Sequence, residues 1–207
     1  FISMRRSRIC ARSTCSALRS RSSACARQSS GFAVSMRHIC DSAGSEYYPE
    51  YHFDAVRLGR RLIMDHPTQP RGNVRECASW RSCIMAVHRR HAGEKLGYGG
   101  VYTLDHDADV AIVGVGYGDG LYLPLVEMHG DILVRGERRP LLACCMDQCM
   151  VDVTGMEVQI GEEVTLFGFD REGNALLSQD VANFCGANEG CALTSALSPR
   201  VERIIEN

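Results

Sequence analysis

The chain has 207 residues, 45% of them hydrophobic and 23% charged, with a formal net charge of −2. That length leaves room for one large domain or two small ones with a real core. The near-balanced charge gives no global pointer to nucleic acid or an anionic membrane, and no apolar run reaches the roughly twenty residues of a membrane-spanning helix.

Charge is nevertheless unevenly spread. Residues 1–40 carry eight arginines and no acid, whereas from Val101 onward eighteen acids face six arginines. The opening "FISMRRSRICARSTCSALRSRSSACARQSS" is rich in Arg, Ser and Cys. Its composition matches an organellar transit peptide or a disordered or aberrantly translated tail. The chain does not begin with Met, which favours the tail, and residues 1–36 are set apart on that basis. "AVSMRHIC" (33–40) reads as a buried strand, "DSAG" as a turn, and the end of "SEYYPEYHFDAVRLG" as a second strand. Two strands joined by a short helical or irregular stretch make part of an α/β unit, assigned to residues 37–65. "HPTQPRGN" carries two prolines and a glycine and marks a linker over residues 66–75.

Over residues 76–207 the texture changes. "CIMAVHRR", "VYTLD", "DVAIVGVGYG", "DILVRG", "RPLLACCM", "CMVDVT" and "EVTLFGF" are short β-like runs split by glycine, aspartate and charged turns. Such spacing predicts a mainly β C-terminal domain. One helix is expected late in the chain, where Ser178 is placed to cap "SQDVANFCGANEG".

Eleven cysteines, with no Cys-x-x-Cys pair, fit neither a zinc module nor the disulfide framework of a small secreted domain. A reducing, cytoplasmic compartment is expected. The sulfur-rich "ACCMDQCM" raises the question of a soft-metal site, but buried cysteine is far more often a small hydrophobe. Its Met146-Asp147-Gln148 step breaks an apolar run with polar side chains, which suggests a strand end or bulge facing a surface or site. "GVGYGDG" (114–120) places Asp119 where a dinucleotide loop needs its third glycine, so it reads as a glycine-rich turn in which Tyr117 and Asp119 can face a site.

Taken together, "GEKLGYGGVY", "GVGYGDG", "CCMDQCMVDVT", "GEEVTLFG" and "SPRVERI" resemble, in order, the C-terminal β domain of alanine racemases. "RHICDSAG" with "HFDAVRLG" resembles the last two strands of that family's (β/α)₈ barrel, so the likeness runs from about Arg37 to Ile204. The fold implied is a mainly β C-terminal domain preceded by a partial α/β segment, the remnant of that barrel. The activity implied is pyridoxal 5'-phosphate-dependent interconversion of L- and D-alanine, which supplies D-alanine for the cell wall.

Racemisation needs a base on each face of the carbanion. The resemblance assigns one to the lysine that holds the cofactor and the other to a tyrosine from a second racemase subunit, here Tyr98. A phenol ionises near pH 10 and acts as a base only if positive neighbours or hydrogen bonds lower that value. By the same resemblance Arg57 faces the pyridine nitrogen and His38 supports it. Ser42, Gly59 and Arg60 hold the phosphate, as the loops after strands seven and eight of such barrels do. Met146 offers its backbone to the substrate carboxylate, Asp147 lies beside it, and Tyr117 lines the approach; metal ligation drops out.

The sequence departs from the family in three places. Leu123 replaces an arginine beyond Tyr117, and Pro199 replaces a phosphate-touching tyrosine. The only lysine against twenty-two arginines is Lys95, close to Tyr98 in the β region. The expectation is therefore a C-terminal portion of a racemase that lacks the cofactor-holding lysine and is inactive alone. A non-catalytic dimerisation or interaction module and a serine-preferring racemase are the alternatives. Nucleic-acid and membrane partners are not expected.

Overall fold

The computed structural model describes residues 35–63, 75–187 and 190–205. The chain divides into two compact units, Phe1–Leu62 and Ile63–Asn207. The tail assigned to residues 1–36 and the linker assigned to 66–75 lie outside the described residues, apart from 35–36 and 75.

In the first unit Asp41 caps a short helix, α1 (Ser42–Tyr47), its carboxylate accepting the Gly44 N–H at 2.8 Å. A 3₁₀ turn over Pro49–Tyr51 follows, with proline in its first turn, where the missing N–H costs nothing. The segments flanking α1 run alongside one another in the same direction: Asp54 N–H donates to Arg37 O and Arg57 N–H to Cys40 O, each at 3.0 Å. The described residues of the two expected strands form no β ladder. The physical reason is spacing: the bonds recur every third residue, whereas a parallel ladder repeats every second one. Arg37 instead locks the pair through its side chain, with Nε 2.8 Å from Asp54 Oδ2.

The second unit is the expected β domain. Its strands are β1 (Trp80–Arg90), β2 (Lys95–Leu96), β3 (Tyr102–Thr103), β4 (Ala108–Val113), β5 (Asp131–Val134), β6 (Glu137–Cys144), β7 (Cys149–Asp152), β8 (Glu163–Phe169) and β9 (Ala175–Leu176). The main sheet runs β1-β4-β7-β6-β5-β8-β9 and is antiparallel throughout. A further pairing of β1, the first strand of that order, with β8, the last but one, closes a barrel and removes exposed edges there. Two long strands make the corners. β1 pairs β8 through residues 80–83 and β4 through 84–90, with a register shift between Ile84 and Ala86. β6 pairs β5 and then β7, with a shift between Leu141 and Ala143. Such bulges bend a strand and let it change partners.

Ile84, Val113, Ile132, Val134, Leu141, Cys149, Val151, Val164 and Leu166, none more than 1% exposed, fill the interior. Truncating one of the larger of them, Leu141→Ala for instance, would cost about 2–5 kcal/mol. Trp80, the only tryptophan in the chain, packs on Phe167 with ring centroids 6.0 Å apart.

Three short helices cover the barrel: α2 (Leu123–Glu127), α3 (Ser178–Phe184) and α4 (Cys191–Ala196). The helix expected at Ser178 forms, but Ser178 is its first residue and the capping position is Leu177. The Ser178 N–H is satisfied by Glu76, whose carboxylate oxygens lie at 2.9 and 3.1 Å. A distant carboxylate therefore does what the local hydroxyl was expected to do. Among the described residues no helix is long and apolar enough to cross a membrane.

Candidate functional site

The β6–β7 connection is a tight turn, with Cys145 N–H donating to Gln148 O at 2.7 Å. Met146, 52% exposed, and Asp147 project from it. The glycine-rich loop after β4 lies directly on this turn: Tyr117 N–H donates to Cys145 O at 3.1 Å and Gly118 N–H to Met146 O at 2.8 Å. That contact explains the glycines. A Cβ on Gly116 would sit 2.4 Å from both Cys145 O and Met146 O. The sequence demands close backbone approach here, not a phosphate cradle.

Asp119 and Arg200 secure the arrangement. One Asp119 oxygen accepts Gly116 N–H at 2.8 Å, and the other takes Arg200 Nε at 2.6 Å. Arg200 Nη2 also reaches Met146 O at 3.3 Å. Hydrogen bonding to Asp119, supported by the charges of Asp119 and Asp147, raises the guanidinium further above its usual range. Sequence reasoning missed Arg200. The available signal was its place directly after Pro199 in "SPRVERI", one of two arginines in a stretch that follows an arginine-poor region.

Tyr98 sits at the tip of the β2–β3 hairpin and is 63% exposed. Gly97, Gly99 and Gly100 all adopt positive φ (74°, 66° and 68°), which a residue with a Cβ rarely does, so the tight tip requires them. Gly97 lies so close to β6 that a Cβ would come within 3.1 Å of the Ala143 Cβ. The Tyr98 phenol is pushed above its ordinary value, first by Cys145, then by loss of hydration, Tyr117 and Asp147. Cys145, Tyr117 and Asp147 are the groups whose charge bears on that phenol. Nothing in that set lowers the phenol's value; a cation to make it a base must come from elsewhere.

The sulfur cluster is a packing feature. Burial, the largest cause, pushes the half-buried Cys144 thiol up to about 11. Cys149, fully buried, is raised well above its ordinary value for the same reason. Among the described residues no group of three or more His, Cys, Asp or Glu side chains could hold a metal.

In the first unit, Ser42 opens α1 and its Oγ accepts the Gly59 N–H at 3.4 Å. Gly59 is exposed, and a Cβ there would meet nothing within 4 Å. Arg57 is exposed with its Nη2 3.3 Å from Ile39 O, and Arg60 begins a 3₁₀ turn over Arg60–Leu62. His38 is exposed and makes no hydrogen bond to Arg57; a main-chain carbonyl supports the arginine instead. A hydroxyl, an open glycine backbone and an arginine on one small unit fit the phosphate and ring of pyridoxal phosphate. Leu123, 45% exposed, is the first residue of α2 and carries no charge toward the loop.

A closed antiparallel β domain preceded by a short helical unit, with a tyrosine at one hairpin tip and an exposed inter-strand turn, defines a class that sequence comparison makes specific. The sequence model of the alanine racemase C-terminal domain matches residues 77–205. The alanine racemase of Deinococcus deserti is 42% identical over 125 residues, covering 60% of this chain and 34% of that protein. That of Desulforamulus reducens is 35% identical over 162 residues, 75% of this chain and 42% of that one. Among solved structures, alanine racemase from E. faecalis matches with a TM-score of 0.68 and 28% identity over 79% of this chain and 44% of its own. The enzyme from D-cycloserine-producing Streptomyces lavendulae gives 0.70 and 27% over 83% and 46%. The chain belongs to the alanine racemase family. It spans less than half the length of these relatives.

Proposed function

We propose that this chain is a C-terminal portion of an alanine racemase and supplies the half of the active site that one subunit gives to its partner. Pyridoxal phosphate, when bound, would make the α-proton of an attached amino acid acidic. Tyr98 moves that proton on one face of the substrate carbon. The Met146 backbone binds the substrate carboxylate, while Asp147 and Tyr117 shape the approach. Ser42, Gly59 and Arg60 would hold the cofactor's phosphate. Arg57 would offer a cation to the ring nitrogen and so disfavour its protonation, with His38 next in sequence to the Ile39 whose carbonyl takes that arginine.

The observation that supports this reading is that the Tyr98 tip seats through Gly97 against Ala143, at the end of β6 just before the Cys145–Gln148 turn on which the Gly116–Asp119 loop lies. The second base is not supplied by these residues. The only lysine, Lys95, is in β2, three positions from Tyr98 and on the same hairpin. The 207-residue polypeptide alone therefore does not racemise alanine. Exposed and half-buried thiols such as Cys83 and Cys144 suit a reducing, cytoplasmic setting.

The test is to add pyridoxal phosphate to the purified chain, reduce with borohydride and measure alanine racemisation. No reducible adduct at Lys95 and no turnover are expected; turnover by the chain alone would overturn the reading. A second reading, a non-catalytic dimerisation module, rests on the same single lysine. It is favoured if the chain associates with a lysine-bearing racemase subunit without changing its rate. Competition between alanine and serine in a reconstituted site separates an alanine from a serine racemase.

A further inference from the structure

The hairpin that carries Tyr98 is not part of the barrel. β2 and β3 form a two-stranded sheet of their own, with Lys95 opposite Thr103 and Leu96 opposite Tyr102. It is closed at its base by Gly93 N–H to Leu104 O at 2.7 Å and Leu104 N–H to Glu94 O at 2.9 Å. An isolated two-stranded hairpin is marginal in water, so its order depends on what ties it down. Leu96 and Leu104 bury against Ala108, Val110, Leu142 and Ala143, and Tyr102 meets the His129 ring edge-on at 4.9 Å.

Arg90 Nη1 of β1 reaches Glu94 Oε2 at the hairpin base, at 3.5 Å, and a second polar bridge runs from the far side of the base to β7. His106, two residues beyond the base, has Nδ1 at 2.5 Å from Asp105 Oδ1 and Nε2 at 3.0 Å from Asp152 Oδ2. Asp152 ends β7, and its other oxygen accepts the Thr154 N–H at 2.8 Å, so it is fixed to the barrel. An imidazole with both nitrogens against carboxylates can donate both bonds only as the imidazolium. The neutral ring has one N–H and must turn a lone pair toward the other carboxylate.

We propose that His106 and Asp152 are a positioning pair for Tyr98: the protonated imidazole moors the tyrosine-bearing hairpin to β7, and loss of its proton loosens that hairpin while the barrel stays folded. The titratable groups facing the imidazole are Asp105 from its own loop, Asp152 from β7 and, through those carboxylates, Tyr102 from β3. Hydrogen bonds to Asp105 and Asp152 hold His106 above the ordinary histidine value of 6.5. Burial opposes ionisation of Asp152, but Thr154 and His106 outweigh it and keep this carboxyl low. Tyr102 is raised above its usual range, by burial first, and stays neutral throughout. The sign follows. The mooring is complete below 6.5 and is lost as pH rises through the raised value of His106. Only the consequence for proton transfer rests on the racemase reading; the mooring does not.

The experiment is amide hydrogen exchange on the full chain from about pH 5.5 to pH 8.5, corrected for intrinsic rates. Protection at Gly93, Gly100 and Leu104 should fall roughly two- to fivefold across the range, the size expected of exposed charge pairs. The β4–β7 ladder should not change. In His106→Gln and Asp152→Asn the hairpin profile should be flat, with the ladder still protected to show that the fold is intact. A flat wild-type profile would overturn the proposal. So would a slope that survives in His106→Gln, since it would belong to the His91–Asp107 contact at the hairpin base, where Nδ1 and Oδ2 lie 3.2 Å apart. Failure of the racemase reading would show in turnover assays and leave these profiles untouched.

Discussion

Arg200 and Asp119, 81 residues apart, meet at 2.6 Å and between them fix the loop that lies on the Met146 turn. Asp119 holds the start of that loop through Gly116 N–H, and Arg200 holds the turn beneath it through Met146 O. A charge-assisted bond that joins a C-terminal segment to two inter-strand turns makes their geometry collective. The feature proposed to bind the substrate carboxylate is thus set by residues outside its own hairpin.

Gly116 offers the sharpest test of that contact. Its φ is −141°, which any residue adopts, so alanine there is not strained by the backbone. The new methyl would instead strike Cys145 O and Met146 O at 2.4 Å, both main-chain atoms that cannot step aside cheaply. Gly116→Ala should destabilise by about 1–3 kcal/mol, read from urea unfolding followed by Trp80 fluorescence. Gly114→Ala, whose methyl would meet the flexible Met85 side chain at 3.1 Å and Ser82 Oγ at an ordinary 3.7 Å, should cost clearly less.

Tyr98 should titrate above the ordinary tyrosine value of 10 in the isolated chain, because Cys145, Tyr117 and Asp147 oppose its ionisation. The difference in phenolate absorbance between wild type and Tyr98→Phe isolates its curve. Asp147→Asn should bring the midpoint down toward 10. A midpoint below the ordinary value would mean that this chain already carries the activating cation.

Glu76 gives a pH dependence of stability with a definite sign. Burial, partly offset by its bonds to Ser178, raises its carboxyl above 4.5. Its contribution is therefore complete below 4.5 and declines as pH rises through the raised folded value. Glu76→Gln removes that decline. Urea unfolding of the two proteins should show the variant gaining on wild type between about pH 4.5 and pH 7.

Thiol labelling answers the question raised by "ACCMDQCM". Iodoacetamide at neutral pH reacts with thiolates. Cys144, with its thiol up to about 11, and Cys149, fully buried and raised well above its ordinary value, should resist labelling in the native chain while the exposed Cys83 reacts. Rapid modification of Cys144 would contradict its role as packing.

What could be read from the sequence was local. "DVAIV" and "EVTLFGF" announce strands because β-branched and aromatic residues fit a pleated, buried surface. Barrel closure could not be read, since β1 meets β8 through Trp80↔Phe167 and Cys83↔Glu163, contacts far apart in the chain. α2 escaped notice because Leu123–Glu127 is too short to show a helical period. The Ser178 expectation failed by one position, because Glu76, 102 residues away, supplies the cap. Tyr117 and the Met146-Asp147-Gln148 step could be read as site-facing from glycine and polarity patterns, Tyr98 only through family resemblance, and the part Arg200 plays emerges only once its neighbours in space are known.

The account stands on donation of Tyr98 to a site whose lysine lies in another subunit. It is tested by mixing this chain with an alanine racemase whose own corresponding tyrosine is replaced by phenylalanine, following assembly by native mass spectrometry and turnover by D-alanine formation. Mixed dimers that recover racemisation with the wild-type chain, and not with Tyr98→Phe, are the expected result. Mixed dimers without turnover, or no mixed assembly at all, would contradict it.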